Sequence, residues 1–242
     1  MRLAQEIVSG RWRDPRQYHF LSEQNSTFFA KRILSHRHQW IVRQSDAGFY
    51  TLGTPSYLDA AEGYANYLSK LKNSNIILME NIAPIINSLP ELFSRILGIP
   101  KSNIQHLRDT CLPGIHIFIF ARYSNTKNMT DFHKDRQHCL IEPMTLPVLQ
   151  NAEFYEPLSF TLPLQLPSKG GGLILHRQSK RYNQISKKDE YRIAYESGRI
   201  VIHDGQNPHR IDDSYNVEQD DCRLTLQGHG LIVDNKSFYY YW

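Results

Sequence analysis

Cysteine is scarce in this sequence: Cys111, Cys139 and Cys222 are the only three in 242 residues. None forms a C-x-x-C pair, which excludes a closed thiolate zinc site. A sparse, odd count also excludes a disulfide framework and favours a reducing compartment, so a cytoplasmic location is expected. Long apolar runs are missing; Ile115–Phe120 has the length of a strand, not of a membrane span. The segment Met1–Arg16 has no apolar stretch of the kind a signal peptide needs, and none is expected. Dense basic tracts are missing too. Lys and Arg total 28 against 24 Asp and Glu, for a net charge of +4. The basic residues at Arg11, Arg13 and Arg16, and at Lys180, Arg181, Lys187 and Lys188, are interleaved with acids. That pattern reads as a solvated surface and not as a nucleic-acid footprint. There is no internal repeat and no low-complexity tract.

What is present supports a buried core. Hydrophobic residues make up 40% and charged residues 21%; aromatics reach 12%, with 14 Tyr, which suits pleated surfaces. The length fits one β-rich domain, with residues 1–111 a mixed α/β part and 112–242 the core. Gln39–Arg43 and Phe49–Leu52 read as a hairpin across Ser45–Gly48. Leu58–Leu71 has helical spacing, and Asn75–Leu97 reads as one or two helices broken near Pro84 and Pro90, with Gly98 as the stop. After Leu112–Pro113–Gly114 short apolar runs alternate with turn residues. Strands are expected over Ile115–Phe120, Asp131–Leu140, Leu158–Leu166, Gly171–His176, Arg199–His203, His209–Ile211 and Arg223–Val233, with Lys180–Glu190 an exposed loop. Short strands at this spacing predict a sandwich or jelly roll, with the helical N-terminal part packed on it.

The chemistry is concentrated in three places. In Asp131–Gln137, His133 and Asp135 stand at i and i+2, and on an extended chain both point to one face. One imidazole and one carboxylate can then meet one metal ion, and His133 is expected to be buried. A second imidazole would complete a 2-His-1-carboxylate set that leaves coordination positions open. Two candidates follow in Val201–Ile211. His209 starts the returning strand after an Asp-Gly turn and is preferred; His203 ends the incoming strand and competes. Downstream, Arg223, Thr225 and Gln227 alternate with Leu224 and Leu226. Such a polar face can line an internal cavity, where Arg223 offers a planar fork for a carboxylate with the Thr225 hydroxyl beside it. His116 reads as a core histidine or as a neighbour of that pocket. Gln137 continues the face of His133 and Asp135, to enter the pocket or orient a ligand; Arg122 is a second carboxylate contact or a surface residue. The aromatic end, Tyr239–Trp242, reads as packing for the helical part.

The order H-x-D, distal His, then R-x-[ST] resembles the Fe(II)/2-oxoglutarate-dependent oxygenase superfamily and its double-stranded β-helix, over about residues 112–242. The runs Leu112–Phe118, Pro157–Pro163 and Leu226–Leu231 are similar to small bacterial members related to hydroxylases and halogenases of amino acids and small natural products. The resemblance implies that His133, Asp135 and His209 hold iron(II). It implies that Arg223 pairs with the distal carboxylate of 2-oxoglutarate, with Thr225 or Thr161 as a hydrogen-bonding partner. It also implies dioxygen as the oxidant, a small-molecule substrate, and no membrane or nucleic-acid partner. Related halogenases carry Gly or Ala where Asp135 stands, so Asp135 points to hydroxylation. Two other readings stay open. One is a cupin-type metal protein without 2-oxoglutarate, which has no need of a cavity arginine at Arg223. The other is a non-catalytic binding module, which the interleaved charges and the expected burial of His133 disfavour.

Overall fold

The structure is a computed structural model that describes residues 3–8, 14–44, 48–120, 132–176, 190–214 and 221–242. Arg122, the Asn125–Thr130 segment, residues 45–47 of the expected turn, and residues 180–189 of the expected loop lie outside them. In chain order the helices are α1 (Leu3–Val8), α2 (Glu23–Ser35), α3 (Ser56–Asp59), α4 (Tyr64–Leu97), α5 (Gln137–Leu140) and α6 (Glu142–Leu149). The strands are β1 (Arg16–His19), β2 (Ile41–Gln44), β3 (Phe49–Leu52), β4 (Ile104–His106), β5 (Gly114–Ile119), β6 (Tyr155–Gln165), β7 (Leu173–His176), β8 (Glu190–Ile193), β9 (Arg199–His203), β10 (His209–Ile211), β11 (Cys222–Val233) and β12 (Ser237–Tyr241).

Helices cover one face of a large sheet. In α2, the Ser22 hydroxyl caps the N-terminus by accepting from the Asn25 backbone N–H at 3.2 Å. Ser26, Phe29, Ala30 and Ile33, at i, i+3, i+4 and i+7, form its buried face. Helix α4 spans 34 residues and is interrupted by a kink at Ile82, near the break the sequence predicted at Pro84, while the break predicted at Pro90 is absent. Pro84 has no N–H to give the preceding turn, and the kink falls two residues earlier at Ile82 (φ −134°, ψ 23°). Pro90 sits inside the helix with regular geometry, because tertiary packing overrides the local cost: Leu78, Ile85, Leu89, Leu92, Phe93 and Leu97 are all buried against the sheet. Phe93 packs edge-on against Phe160 of β6 and Phe238 of β12, at 4.9 and 4.8 Å between ring centroids. Gly98 ends the helix in the left-handed conformation, φ 72°, as the sequence predicts. By length and composition α4 could also cross a membrane, but it is a core helix of this fold.

The large sheet has nine strands in the path β1-β9-β6-β11-β5-β3-β2, with β12 and β4 added beside β11. All its pairings are antiparallel except β12 with β4. The expected hairpin is present as β2 and β3. Strand β11 lies at the centre, paired with β6 along ten residues. Pro163 sits where the β6–β11 register shifts, a place where a missing ladder N–H costs little. A smaller sheet, β10-β7-β8, packs on the opposite face from the helices. Leu173, Leu175 and Ile193 of the small sheet cluster with Val201 of β9, and Ile211 clusters with Phe118 of β5. The fold is thus mixed helix and mainly antiparallel sheet, and β1, β2 and β3 join the same sheet as the strands after residue 112.

Residues 132–140, the described part of the expected strand Asp131–Leu140, depart from it. The segment touches the sheet only at an isolated bridge, His133 with His209, and then turns into α5. The reason is in the backbone bonds: His133 exchanges N–H···O bonds with His209 at 3.0 and 2.9 Å, Asp135 donates to Gly205 O at 2.7 Å, and no further ladder follows. Strands β1, β8 and β12 and helix α2 were not read from the sequence.

Candidate metal centre and anion pocket

Alternation along β11 puts Arg223, Thr225, Gln227 and His229 on the sheet face away from the helices, while Leu224 and Leu226 enter the main core. The cross-strand register builds a polar floor around them. His229 is opposite Ser159, Gln227 opposite Thr161, and Ser159 opposite His203. On the other side, Thr225 is opposite His116 and Arg223 opposite Phe118. The polar stripe that the sequence gives β11 therefore faces the interior between the two sheets.

His133, Asp135 and His209 converge at one end of this floor. Their ligand atoms all lie within 4.8 Å of one another. His209 Nε2 is 3.3 Å and His133 Nε2 3.9 Å from the Asp135 carboxylate oxygens. A divalent first-row ion bound at about 2 Å to each ligand brings neighbouring ligand atoms to roughly 3 Å, so the three positions fit such an ion with small adjustment. Asn207 O faces His209 Nδ1 at 2.8 Å, which places the proton on Nδ1 and turns Nε2 towards the carboxylate. His203 is outside this set: its ring stands edge-on to His209 at 4.6 Å and its Nδ1 is 3.3 Å from Asp204 O. Burial pushes the His203 imidazole down to about 3.

Asp135 is held from several sides. Gln137 Nε2 donates to Oδ1 at 3.0 Å, the Ser159 hydroxyl donates to Oδ2, and Gln206 Nε2 donates to the Asp135 carbonyl at 3.0 Å. His229 Nδ1 lies 3.1 Å from Ser159 Oγ and 3.7 Å from Asp135 Oδ2. Burial pushes the Asp135 carboxyl up, but His209 and His229 outweigh it and hold the group well below the ordinary carboxylate range. Asp135 and His209 are buried, whereas the His133 side chain is 49% exposed, against the expected burial. His133 lies where the chain leaves its single bridge, so one side of the centre is open. Gln137, expected either to enter the pocket or to orient a ligand, turns its amide to Asp135.

Arg223 marks the other end. Its side chain is fully buried, donating from Nε to Gly171 O at 2.8 Å and from Nη1 to Thr225 Oγ1 at 3.1 Å. The guanidinium lies over the rings of Phe118 and Tyr195, 5.9 and 5.7 Å from the centroids. Among the described residues no carboxylate pairs with it. Burial pushes it down to about 10, the sign of a cation without a counter-charge. Thr161 is buried close to the Tyr195 hydroxyl and does not bond Arg223. His116 sits on the adjoining strand, its Nε2 bonded to the Tyr57 hydroxyl, and burial, with Arg223 next, holds its imidazole well below the usual value. Sequence reasoning missed Ser159, His229 and Tyr195. The period-two spacing of Ser159 with Thr161, and of Gln227 with His229, was the signal available for the first two.

Phe238, Tyr240, Tyr241 and Trp242 join the core that the helices cover, as expected for the aromatic terminus, and the Trp242 ring also lies 5.4 Å from His116.

No protein-family model matches the sequence, and no curated protein matches it. The structure is similar to two solved structures of an N-substituted L-amino acid dioxygenase from Burkholderia ambifaria AMMD. The first is 10% identical with a TM-score of 0.58, over 100% of this chain and 92% of that one. The second, in complex with alpha-KG, is 10% identical with a TM-score of 0.56, over 99% and 90%. The chain has the fold of that dioxygenase along its whole length.

Proposed function

We propose that this protein is an Fe(II)- and 2-oxoglutarate-dependent dioxygenase that hydroxylates a small molecule, a free amino acid or a derivative of one. The observation that carries this reading is a pairing. A three-ligand His-Asp-His set and a buried guanidinium without an acidic partner among the described residues share one interior face. In this reading the two sheets are the walls of a double-stranded β-helix, residues 1–242 form one domain, and the protein works in the cytoplasm. His133, Asp135 and His209 hold the iron. Arg223 takes the distal carboxylate of 2-oxoglutarate by a charge-assisted fork, and the Thr225 hydroxyl fixes the plane of the fork. Tyr195, braced by Thr161, closes the pocket wall. His116 stands next to that pocket. Gln137 is assigned to Asp135 and away from substrate.

The chemistry supplied at the metal is dioxygen activation coupled to decarboxylation of 2-oxoglutarate to succinate. The chain's own groups do the rest. Ser159, Gln137 and His229 keep the Asp135 carboxylate ionised and aimed, and the apolar walls formed by Phe118, Phe49 and Ile211 exclude water. The carboxylate at Asp135 occupies the position that a halide would need, which supports hydroxylation over halogenation. A cupin-type metal protein is the second reading, and the unpaired Arg223 weighs against it. The N-substituted L-amino acid in the name of the similar dioxygenase supports the amino-acid class of substrate. Anaerobic titration with iron(II) and then 2-oxoglutarate tests the proposal. A weak visible charge-transfer band is expected, and its absence with folded protein refutes the reading.

A further inference from the structure

Gln227 is the one residue of β11 that is not buried, although it lies in the middle of the central strand. Its neighbours on the same face point to the two ends of the site. Thr225 bonds Arg223, and His229 reaches Ser159 and Asp135. Residues two apart on a strand are about 6.7 Å apart, so a molecule running from the guanidinium to the metal ligands passes over Gln227. Its side chain is therefore only partly covered by its neighbours, and among the described residues no protein group bonds it.

The surroundings repeat the observation. Gly114 is directly opposite Gln227, and a Cβ there would come within 2.0 Å of the Trp242 ring. The glycine thus lets that ring onto the floor next to Gln227. Three buried polar atoms near by lack a partner: Trp242 Nε1, His116 Nδ1 and His229 Nε2. Buried polar atoms are rarely left unpaired, and a row of them beside an exposed amide describes a site for a polar ligand.

We infer that the Gln227 carboxamide contacts the bound 2-oxo acid between its anchored carboxylate and its metal-facing end, donating an N–H to a ligand oxygen. The inference rests on the cosubstrate reading above and adds a residue to it. An amide suits this position because it gives a hydrogen bond to an anion without adding a charge beside Arg223.

The test uses the whole protein loaded anaerobically with Mn(II), with calorimetry for Mn(II) and then for 2-oxoglutarate. Gln227→Leu and Gln227→Glu both keep the side-chain size, and circular dichroism checks folding. Mn(II) affinity is expected to stay within about twofold. The 2-oxoglutarate affinity should fall roughly tenfold in Gln227→Leu, the cost of one hydrogen bond to a charged group. It should fall further in Gln227→Glu, where like charges meet. Unchanged 2-oxoglutarate affinity in both variants, or an equal loss of metal and cosubstrate, overturns the inference while leaving the functional reading in place. Wild-type protein that binds Mn(II) but no 2-oxoglutarate overturns the functional reading itself.

Discussion

His209 Nε2 lies 3.3 Å from Asp135 Oδ2, while His203, whose ring touches that of His209, turns its Nδ1 to the Asp204 carbonyl. Two histidines six residues apart, on consecutive strands of different sheets, therefore have different surroundings, although both are buried beside the same carboxylate.

Replacing His209 by Ala is expected to lower Mn(II) or Fe(II) affinity by more than about a hundredfold, beyond what loss of an outer partner costs. His203→Ala should cost much less, because it removes only a ring contact. Calorimetric titration of the two variants decides it; a larger loss in His203→Ala would reassign the distal ligand.

Arg223→Ala should weaken 2-oxoglutarate far more than metal. Removing a buried cation aimed at a carboxylate loses a charge-assisted fork, whereas the His-Asp-His set is built on other elements. Equal loss of both affinities would make Arg223 a structural residue. Arg223→Lys should recover little, since an ammonium cannot serve Gly171 O, Thr225 Oγ1 and a carboxylate in one plane.

Stability should fall in mild acid. Burial, with Arg223 next, holds His116 well below its usual value, and burial lowers His106 too. Above about pH 6.5 both are neutral in the folded and unfolded chains, and neither contributes. As pH drops below that value the unfolded chain takes protons that the folded chain refuses. Stability then declines by up to about 1.4 kcal/mol per pH unit for each site. Urea midpoints between pH 7 and 5 measure this slope, and His116→Gln should make it shallower. An unchanged slope would mean that His116 takes a proton in the folded protein.

Much of the site was legible because its signals are local. His133 with Asp135, and Arg223 with Thr225, are i and i+2 pairs whose side chains share a face, and the turn at Asp204–Gly205 placed His209. The rest depends on contacts far apart in the chain. Ser159 meets Asp135 across 24 residues and His229 across 70, and Tyr195 reaches Arg223 from the connection between β8 and β9. No local pattern reports such pairs. The same limit applied to the fold. The break expected at Pro84 is present as the kink at Ile82, but the one expected at Pro90 rests on local propensity, which burial of one helix face overrode; β1 and β12 are strands because of the partners they meet. The segment 131–140 was misread for the opposite reason: the two-residue spacing of its ligands looked like a strand, yet only one bridge and one further backbone bond hold it.

The shared sheet has a consequence for any attempt to work with the ligand-bearing half alone. A fragment starting at Leu112 would lose β3 from one side of β5 and β1 from the far side of β9. Three raw edges would open, on β5, on β9 and on β12, which loses β4; the β5 edge carries His116 and Phe118 beside Arg223, and unpaired edges invite association. The half that holds His133, Asp135, His209 and Arg223 is therefore not a portable module: its sheet is finished by strands from the other half.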